Sequence, residues 1–501
     1  MANLKALAKD TAIYGLSSIV GRFLNYLLVP LYTAYLSVES GGYGVVTNVY
    51  AYSALILVIL TCGMETTFFR FANKKEYNSD LVFSTALGIV TFLSSIFMLL
   101  VILFLPELSS YLKYSDHPEY VWMMALTVSI DSIQAIPFSF LRFEKKAIKF
   151  AILKMLFIIL SIILNLTYFC LLPWLNKHGI IDCSGIIDSS QQVGWIFRIN
   201  LICISIVSFF FWKEFKHITW HIDFRLLKEM IKYTLPLIVL GIAGILNQTL
   251  DKQIFPQYFN GTSEEAMKEL GIYGACVKIA FFIVMFTQAF RYAYEPMVFA
   301  NSKDIDAKET YALGMKWFII STLLGFLLVM GYLDILQYII RQEEYRAGLK
   351  VVPIVMAAEI MMGIFFNLSF WYKLIDKTIW GAWFSIAGCV VIFALNALLI
   401  PKYSYMACAW AGLVGYTCCM LLSYFVGQKK NPINYPLKEI AAYTLLAAIL
   451  YFLMEIVPDS VPTVFRILIN TLLICLFIYY LVKKDMPLKK IPFIGKYFIK
   501  K

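Results

Sequence analysis

A permanent positive charge in the middle of an oily run is the first feature of this sequence that asks for chemistry. Ser18 to Tyr32 read SIVGRFLNYLLVPLY, and Arg22 sits among them with Gly21 before it and Asn25 and Pro30 after it. If the apolar run is residues 11–36, Arg22 lies about 11 residues, or roughly 16 Å at helical rise, from its start. A central arginine costs at least about 2.5–3.5 kcal/mol on insertion scales. A carboxylate, a watery cavity or an anionic cargo must compensate. The planar guanidinium fork suits a phosphate, whereas the plainer reading is an ion pair that only locks helices together.

Other charges interrupt later apolar runs. Asp131, followed by Gln134 and Pro137, lies at a depth similar to Arg22 counted from the other face, and is its natural partner. Glu359 is also near the middle of a run; each acid is read as a counter-ion or as an ion-coupling group, with a packing role as the alternative. Lys278 and Arg198 lie closer to run ends, where long side chains can reach the interface. Lys154, Lys232 and Arg291 complete the basic set, so cations outnumber the two clear acids within the runs. A cavity that gathered several of these cations would attract anions. Run ends carry candidate gate residues: Glu65 and Arg70 after Cys62-Gly63-Met64, Asp251 and Lys252 after Gln248-Thr249, and Arg291 with Glu295, spaced to meet on one helix face. Each of these could equally cap or anchor a helix.

The remaining chemistry is thin. The four His are loop-placed, and His217 and His221, four apart, have no third ligand, so no metal site is expected. Neither a phosphate-cradling glycine loop nor a GxSxG elbow occurs. The ten Cys show no CxxC spacing and read as small packing residues. No enzyme and no resident cofactor are expected.

The elements that must hold these residues are transmembrane helices. Of 501 residues, 60% are hydrophobic and 15% charged, with a mean hydropathy of +0.74. About fourteen runs reach the roughly 20 residues that cross a bilayer: 11–36, 43–63, 80–105, 119–141, 147–172, 192–212, 231–250, 271–294, 311–333, 350–371, 378–400, 405–427, 438–457 and 463–482. An all-α polytopic membrane protein follows. With the N-terminus inside, 28 of the 43 Lys and Arg fall on the cytoplasmic side and 9 outside. Both termini are therefore expected in the cytoplasm. The +11 net charge is topology, with anionic lipid attracted to the basic tail, and does not indicate nucleic acid. The first helix is expected to be retained rather than cleaved. No connecting segment is long enough for a catalytic domain.

A faint internal echo supports two halves. Lys9, Thr11, Pro30–Tyr32 and Tyr43-Gly44 recur as Lys232, Thr234, Pro256–Tyr258 and Tyr273-Gly274. This suggests a lobe of six spans over 1–230, a second over 231–430, and two appended spans with a basic tail over 431–501.

Taken together, these residues resemble a known family. Lys5, Asp10-Thr11, Tyr14-Gly15, Gly21-Arg22, Pro30-Leu31-Tyr32, Tyr43-Gly44, GMETTFFRF at 63–71, Asp251-Lys252 and YGACVKIA at 273–280 are similar to the polysaccharide-transporter branch of the multidrug/oligosaccharidyl-lipid/polysaccharide (MOP) exporter superfamily. Within it the chain looks like a Wzx-type lipid-linked oligosaccharide flippase. The resemblance spans the chain, although no single motif is diagnostic, and the Asp-Arg pair of relatives is Asp251-Lys252 here. It implies a MATE-like fold whose two lobes enclose a cavity with alternating access. The implied cargo is an undecaprenyl-diphosphate-linked oligosaccharide for O-antigen, capsule or another surface polysaccharide, moved across the bacterial inner membrane. Coupling to a proton or sodium gradient is implied, with membrane lipids and other glycan-assembly proteins as partners. Arg22, Lys278 and Arg198 would then present positive charge to the diphosphate. Rival readings are a drug or metabolite antiporter or a lipid II flippase on the same fold, or a glycan polymerase or glycosyltransferase using the acidic 251–270 segment with Glu264, Glu265 and Glu269.

Overall fold

The structure, a computed structural model, describes residues 20, 23–24, 26–74, 76–182, 185–188, 191–219, 223–300, 307–375, 377–458 and 460–485. Arg22 lies outside them, and so does nearly half of the expected first span. Among the described residues all regular structure is helical, with no strand. We number the α-helices α1 Leu28–Tyr35, α2 Gly42–Thr61, α3 Met64–Ala72, α4 Ser79–Leu103, α5 Leu105–Tyr111, α6 Pro118–Phe143, α7 Ala147–Leu166, α8 Leu172–Lys177, α9 Gln192–Phe209, α10 Phe224–Tyr258, α11 Ser263–Ala300, α12 Ala307–Gly331, α13 Leu333–Leu336, α14 Val352–Leu368, α15 Phe370–Leu374, α16 Ile379–Tyr403, α17 Tyr405–Lys430, α18 Leu437–Ile456 and α19 Thr463–Lys484. Among the described residues, thirteen helical stretches are long and apolar enough to cross a membrane. The protein is a multi-pass membrane protein.

Local chemistry sets the helix ends. The Asn78 side chain accepts from the Asp80 amide at the start of α4, and Asp223 Oδ1 accepts from the Arg225 and Leu226 amides at the start of α10. Cys62 and Gly63 both adopt left-handed backbone between α2 and α3. Glycine makes that turn at little cost, so the second span bends there instead of ending. At 35 residues α10 is longer than a bilayer requires, and its first turns, with Arg225, Lys228, Glu229 and Lys232, supply the polar excess.

The chain packs as two compact units. The first gathers residues 1–275, 340–348 and 378–419, and the second gathers 276–339, 349–377 and 420–501. Residues 231–275 and 378–419, placed by sequence in a second lobe, thus pack with 1–230.

In the first unit α2 and α3 run antiparallel to α10 along its whole length. The matched positions descend in order: Asn48 meets Lys252, Tyr52 meets Gln253, Val58 meets Gly241, and Thr67 meets Thr234. Phe68, Phe83 and Phe140 join α3, α4 and α6 in a buried aromatic cluster, with Phe83 and Phe140 centroids 4.6 Å apart. The two Tyr-Gly pairs of the internal echo lie where α2 and α11 touch. A Cβ on Gly44 would fall within the Met267 carbonyl, and one on Gly274 would strike Thr47. Small residues allow this backbone approach, as in other membrane helix pairs. In the second unit α12, α18 and α19 share a core that includes Phe318, Tyr443, Leu450 and Phe477.

Gly44→Val is expected to force α2 from α11 and cost about 1–3 kcal/mol or more, read as a lower melting midpoint of the purified protein. Gly88→Ala, with nothing within 4 Å of the added Cβ, should be neutral or stabilising.

Candidate functional site

At one end of the α2–α10 seam, Asp251 is buried and fully engaged. Its two oxygens lie 3.0 Å from Lys252 Nζ, and Tyr273 Oη donates to Oδ2 at 2.8 Å. Asn48 Nδ2 donates to the Lys252 carbonyl at 2.7 Å, and Tyr114 Oη donates in turn to Asn48 Oδ1 at 2.7 Å. Burial pushes the Tyr114 phenol well above its ordinary value, so it stays a donor. Tyr52 donates to the Gln253 carbonyl, and Gln253 Nε2 donates to the Ala51 carbonyl and Thr249 Oγ1. The arrangement is a polar clamp that leaves the carboxylate without a vacant role. Deeper along the seam, Asn247 Nδ2 donates to the Ser385 carbonyl and Tyr416 Oη donates to the Asn247 carbonyl, tying α10 to α16 and α17.

At the opposite end, Glu65 accepts from Arg142 Nη2 at 2.8 Å, which links α3 to α6. Arg70 instead stacks over the Tyr233 ring at 4.2 Å. The two gate candidates that are five apart in sequence therefore take different partners. Midway along α6, Asp131 is half-buried and has no hydrogen bond or ion pair among the described residues. Lys154 Nζ sits 4.0 Å over the Phe138 ring. Arg198 donates to Gln191 Oε1 at 3.3 Å and rests over Trp195 at 5.1 Å.

In the second unit Arg291 and Glu295 do not meet, although their spacing would allow it. Arg291 lies 4.5 Å over the Phe366 ring, and Glu295 accepts from Lys373 Nζ at 3.0 Å. Helix spacing shows which side chains can meet on one helix; here α15 brings a better-placed cation. Lys278 is exposed on α11 and Glu359 half-buried on α14, and both are engaged in contacts of their own. Among the described residues no group of three His, Cys, Asp or Glu is placed to hold a metal.

Two charged clusters escaped the sequence reading. Lys316 is buried in α12, bonded to Asp485 at 2.5 Å and to Glu439, while Tyr443 Oη donates to Asp485 at 2.5 Å. Glu214 is buried against Lys149 at 2.6 Å. The only sequence signal is a lone charge beside an apolar run, which also describes any helix anchor. Burial works against the Asp485 charge, but the hydrogen bonds from Lys316 and Tyr443 outweigh it and hold the carboxyl below its usual range. A lowered carboxylate stabilises above the unfolded value and loses that contribution as pH falls through the folded one.

No family model and no curated protein matches the sequence. Solved structures do match. The fold superposes on the lipid II flippase MurJ in an inward closed conformation with a TM-score of 0.71, over 94% of this chain and 98% of that one, at 14% identity. It superposes on an inward-facing multidrug resistance MATE family transporter of the MOP superfamily with a TM-score of 0.65, over 81% and 93%, at 13% identity. A MATE protein in the straight conformation gives 0.58, over 85% and 95%, at 14% identity. The chain has the fold of these exporters. At this identity the likeness concerns fold alone.

Lys316→Met should leave two carboxylates stranded near buried Tyr443 and cost about 3–5 kcal/mol at neutral pH. The expected readout is a lower melting midpoint. Its gap from the native protein should persist down to the acid range and close only as pH falls through the lowered Asp485 value.

Proposed function

We propose that the protein is a flippase for a lipid-linked oligosaccharide. It works by alternating access in the bacterial inner membrane with both termini cytoplasmic. The cargo is an undecaprenyl-diphosphate-linked glycan destined for O-antigen, capsule or another surface polysaccharide. Two six-span lobes, 1–230 and 231–430, would do the work, with 431–501 as an appended pair and tail. The observation that carries the reading is the extent of the fold likeness: the flippase matches over 94% of the chain, whereas the two MATE structures match over 81% and 85%.

Charge supports the same direction. Among the described residues Lys154, Arg198 and Arg291 are not bridged to carboxylates and rest over aromatic rings. A ring contact leaves ammonium and guanidinium donors available for an anion. The carboxylate of Asp251, by contrast, is already satisfied by Lys252 and Tyr273, which speaks against a cation exporter. Arg22 would add a central cation facing the diphosphate, with Lys278, mid-way along α11, and Arg198 as further candidates. A proton or sodium gradient would drive the cycle, and other glycan-assembly proteins would hand over the cargo. A second reading, a lipid II flippase, is favoured by the likeness to MurJ; it shares the diphosphate anchor and differs in the glycan.

Expression in the native host lacking its own copy should restore surface glycan, read by gel and antibody. Arg22→Gln at equal membrane abundance should lower it roughly tenfold or more, as expected for losing a charged hydrogen bond of about 1.5–3 kcal/mol. Failure of the native chain to restore glycan would overturn the flippase reading. Equal rescue by both chains would remove Arg22 from the cargo path.

A further inference from the structure

The geometry points to a cleft at the ends of α12, α18 and α19 as the seat of an amine-bearing phospholipid headgroup, of the phosphatidylethanolamine kind. The inference concerns the second unit alone and does not rest on the flippase reading. The cleft opens where α12 ends at Gly331, α18 ends at Ile456 and α19 begins at Thr463. Its walls include Asp334, Glu455, Arg466 and Asn470, with Met454 and Pro458. Lys316 lies 15 residues before Gly331 on α12, about 22 Å at helical rise. The cleft is therefore at the opposite end of these spans from the Lys316–Asp485 cluster.

Polar ties hold the walls in place. Arg466 Nε lies 3.2 Å from Asp334 Oδ2, joining α19 to α13. Asn470 Nδ2 donates to the Gly331 carbonyl at 3.0 Å, and the Tyr332 and Thr471 hydroxyls meet at 3.0 Å. Gln337 Nε2 donates to the Asp334 carbonyl at 3.1 Å. What remains over is acceptors. Asn470 is only 6% exposed, and its Oδ1 has no hydrogen-bond partner among the described residues. A buried acceptor left unsatisfied is costly, so it calls for a donor. Glu455 stands exposed on α18 with Tyr451 beside it, and an ionised carboxylate accepts more than one hydrogen bond.

The charges select the ligand. Asp334 and Glu455 against Arg466 leave the cleft one negative charge in excess. The C-terminal ends of α12 and α18 add partial negative charge, which favours a cation. A primary ammonium brings one positive charge and three donors with no acceptor. A metal ion fits poorly: Arg466 repels it, and among the described residues no group of three His, Cys, Asp or Glu is placed to hold one. Arg466 lies in the first turn of α19, where the helix dipole favours an anion. A headgroup with its ammonium toward Glu455 and Asn470 would thus set its phosphate toward Arg466.

The surroundings suit a lipid rather than a soluble amine. Phe465, Leu468 and Leu472 share one exposed face of α19, and Ile456 is exposed at the end of α18. Both helices are long and apolar enough to cross a membrane. Acyl chains attached to a headgroup in the cleft can run down this face, whereas a soluble amine makes no use of it.

Native mass spectrometry of the purified full chain in detergent, titrated with dioleoyl phosphatidylethanolamine or dioleoyl phosphatidylcholine, tests this. The two lipids differ only in the methyl groups that replace the ammonium N–H donors. The first should bind roughly tenfold tighter or more, as expected for hydrogen bonds to a charged group. Glu455→Gln, at an exposed position, should abolish most of that preference. Glu309→Gln, the same change of charge at the other end of α12, should keep it. Free phosphoethanolamine at the same concentration should not displace the lipid. Equal binding of the two lipids, or a preference that survives Glu455→Gln, would overturn the inference and leave Asp334–Arg466 as a tie between helices. Displacement by free phosphoethanolamine would overturn the lipid as occupant and make the cleft a site for a soluble amine.

Discussion

Water does not reach the middle of a bilayer, so a polar side chain there must find its partner in the protein or in what the protein carries. This constraint organises the chain. Backbone groups are satisfied within helices, and polar side chains then become the means by which one helix recognises another. Asn48, Gln253 and Tyr52 close the α2–α10 seam at one end, Thr67 of α3 meets Thr234 of α10 at the other, and Tyr273 ties α11 to Asp251 of α10. Asn247 does the same between α10 and its neighbours α16 and α17.

Against that background the groups without such partners stand out. Lys154 and Arg291 rest over rings instead of carboxylates, and Asp131 is a carboxylate with no bond among the described residues. The polar groups of this fold therefore divide into those spent on holding helices together and those left for work. A carrier of a lipid-anchored diphosphate needs the second kind to be cationic. Lys154 on α7 and Arg291 on α11 are of that kind.

Much of this was legible in the residues. Long apolar runs with short charged breaks dictate an all-helical membrane protein, although the run that seemed to end at Gly63 bends there and continues into α3. Depth within a run placed Asp131 in the middle of α6, but it put Lys278 near a run end, whereas α11 extends so far in both directions that Lys278 is mid-helix. What was not legible depends on neighbours distant in sequence. Arg291 and Glu295 have the spacing of a pair, but Lys373 arrives from α15 and takes the carboxylate. Lys316 looks like a helix-end anchor until α18 and α19 dock over it. Asn48 and Gln253 are single polar letters in apolar text, and only the antiparallel register of α2 with α10 shows that they face one another's backbones. The expected Arg22–Asp131 pair involves a residue outside those described.

The most direct measurement is transbilayer movement in vesicles of purified protein containing a fluorescent polyprenyl-diphosphate oligosaccharide. An impermeant quencher is added outside at intervals. The account predicts that lipid hidden in the inner leaflet becomes accessible with time in protein-containing vesicles, and faster under an imposed ion gradient. Accessibility that stays at the level of protein-free vesicles, while the same protein expels a lipophilic cationic dye, would contradict it and make the chain a drug exporter.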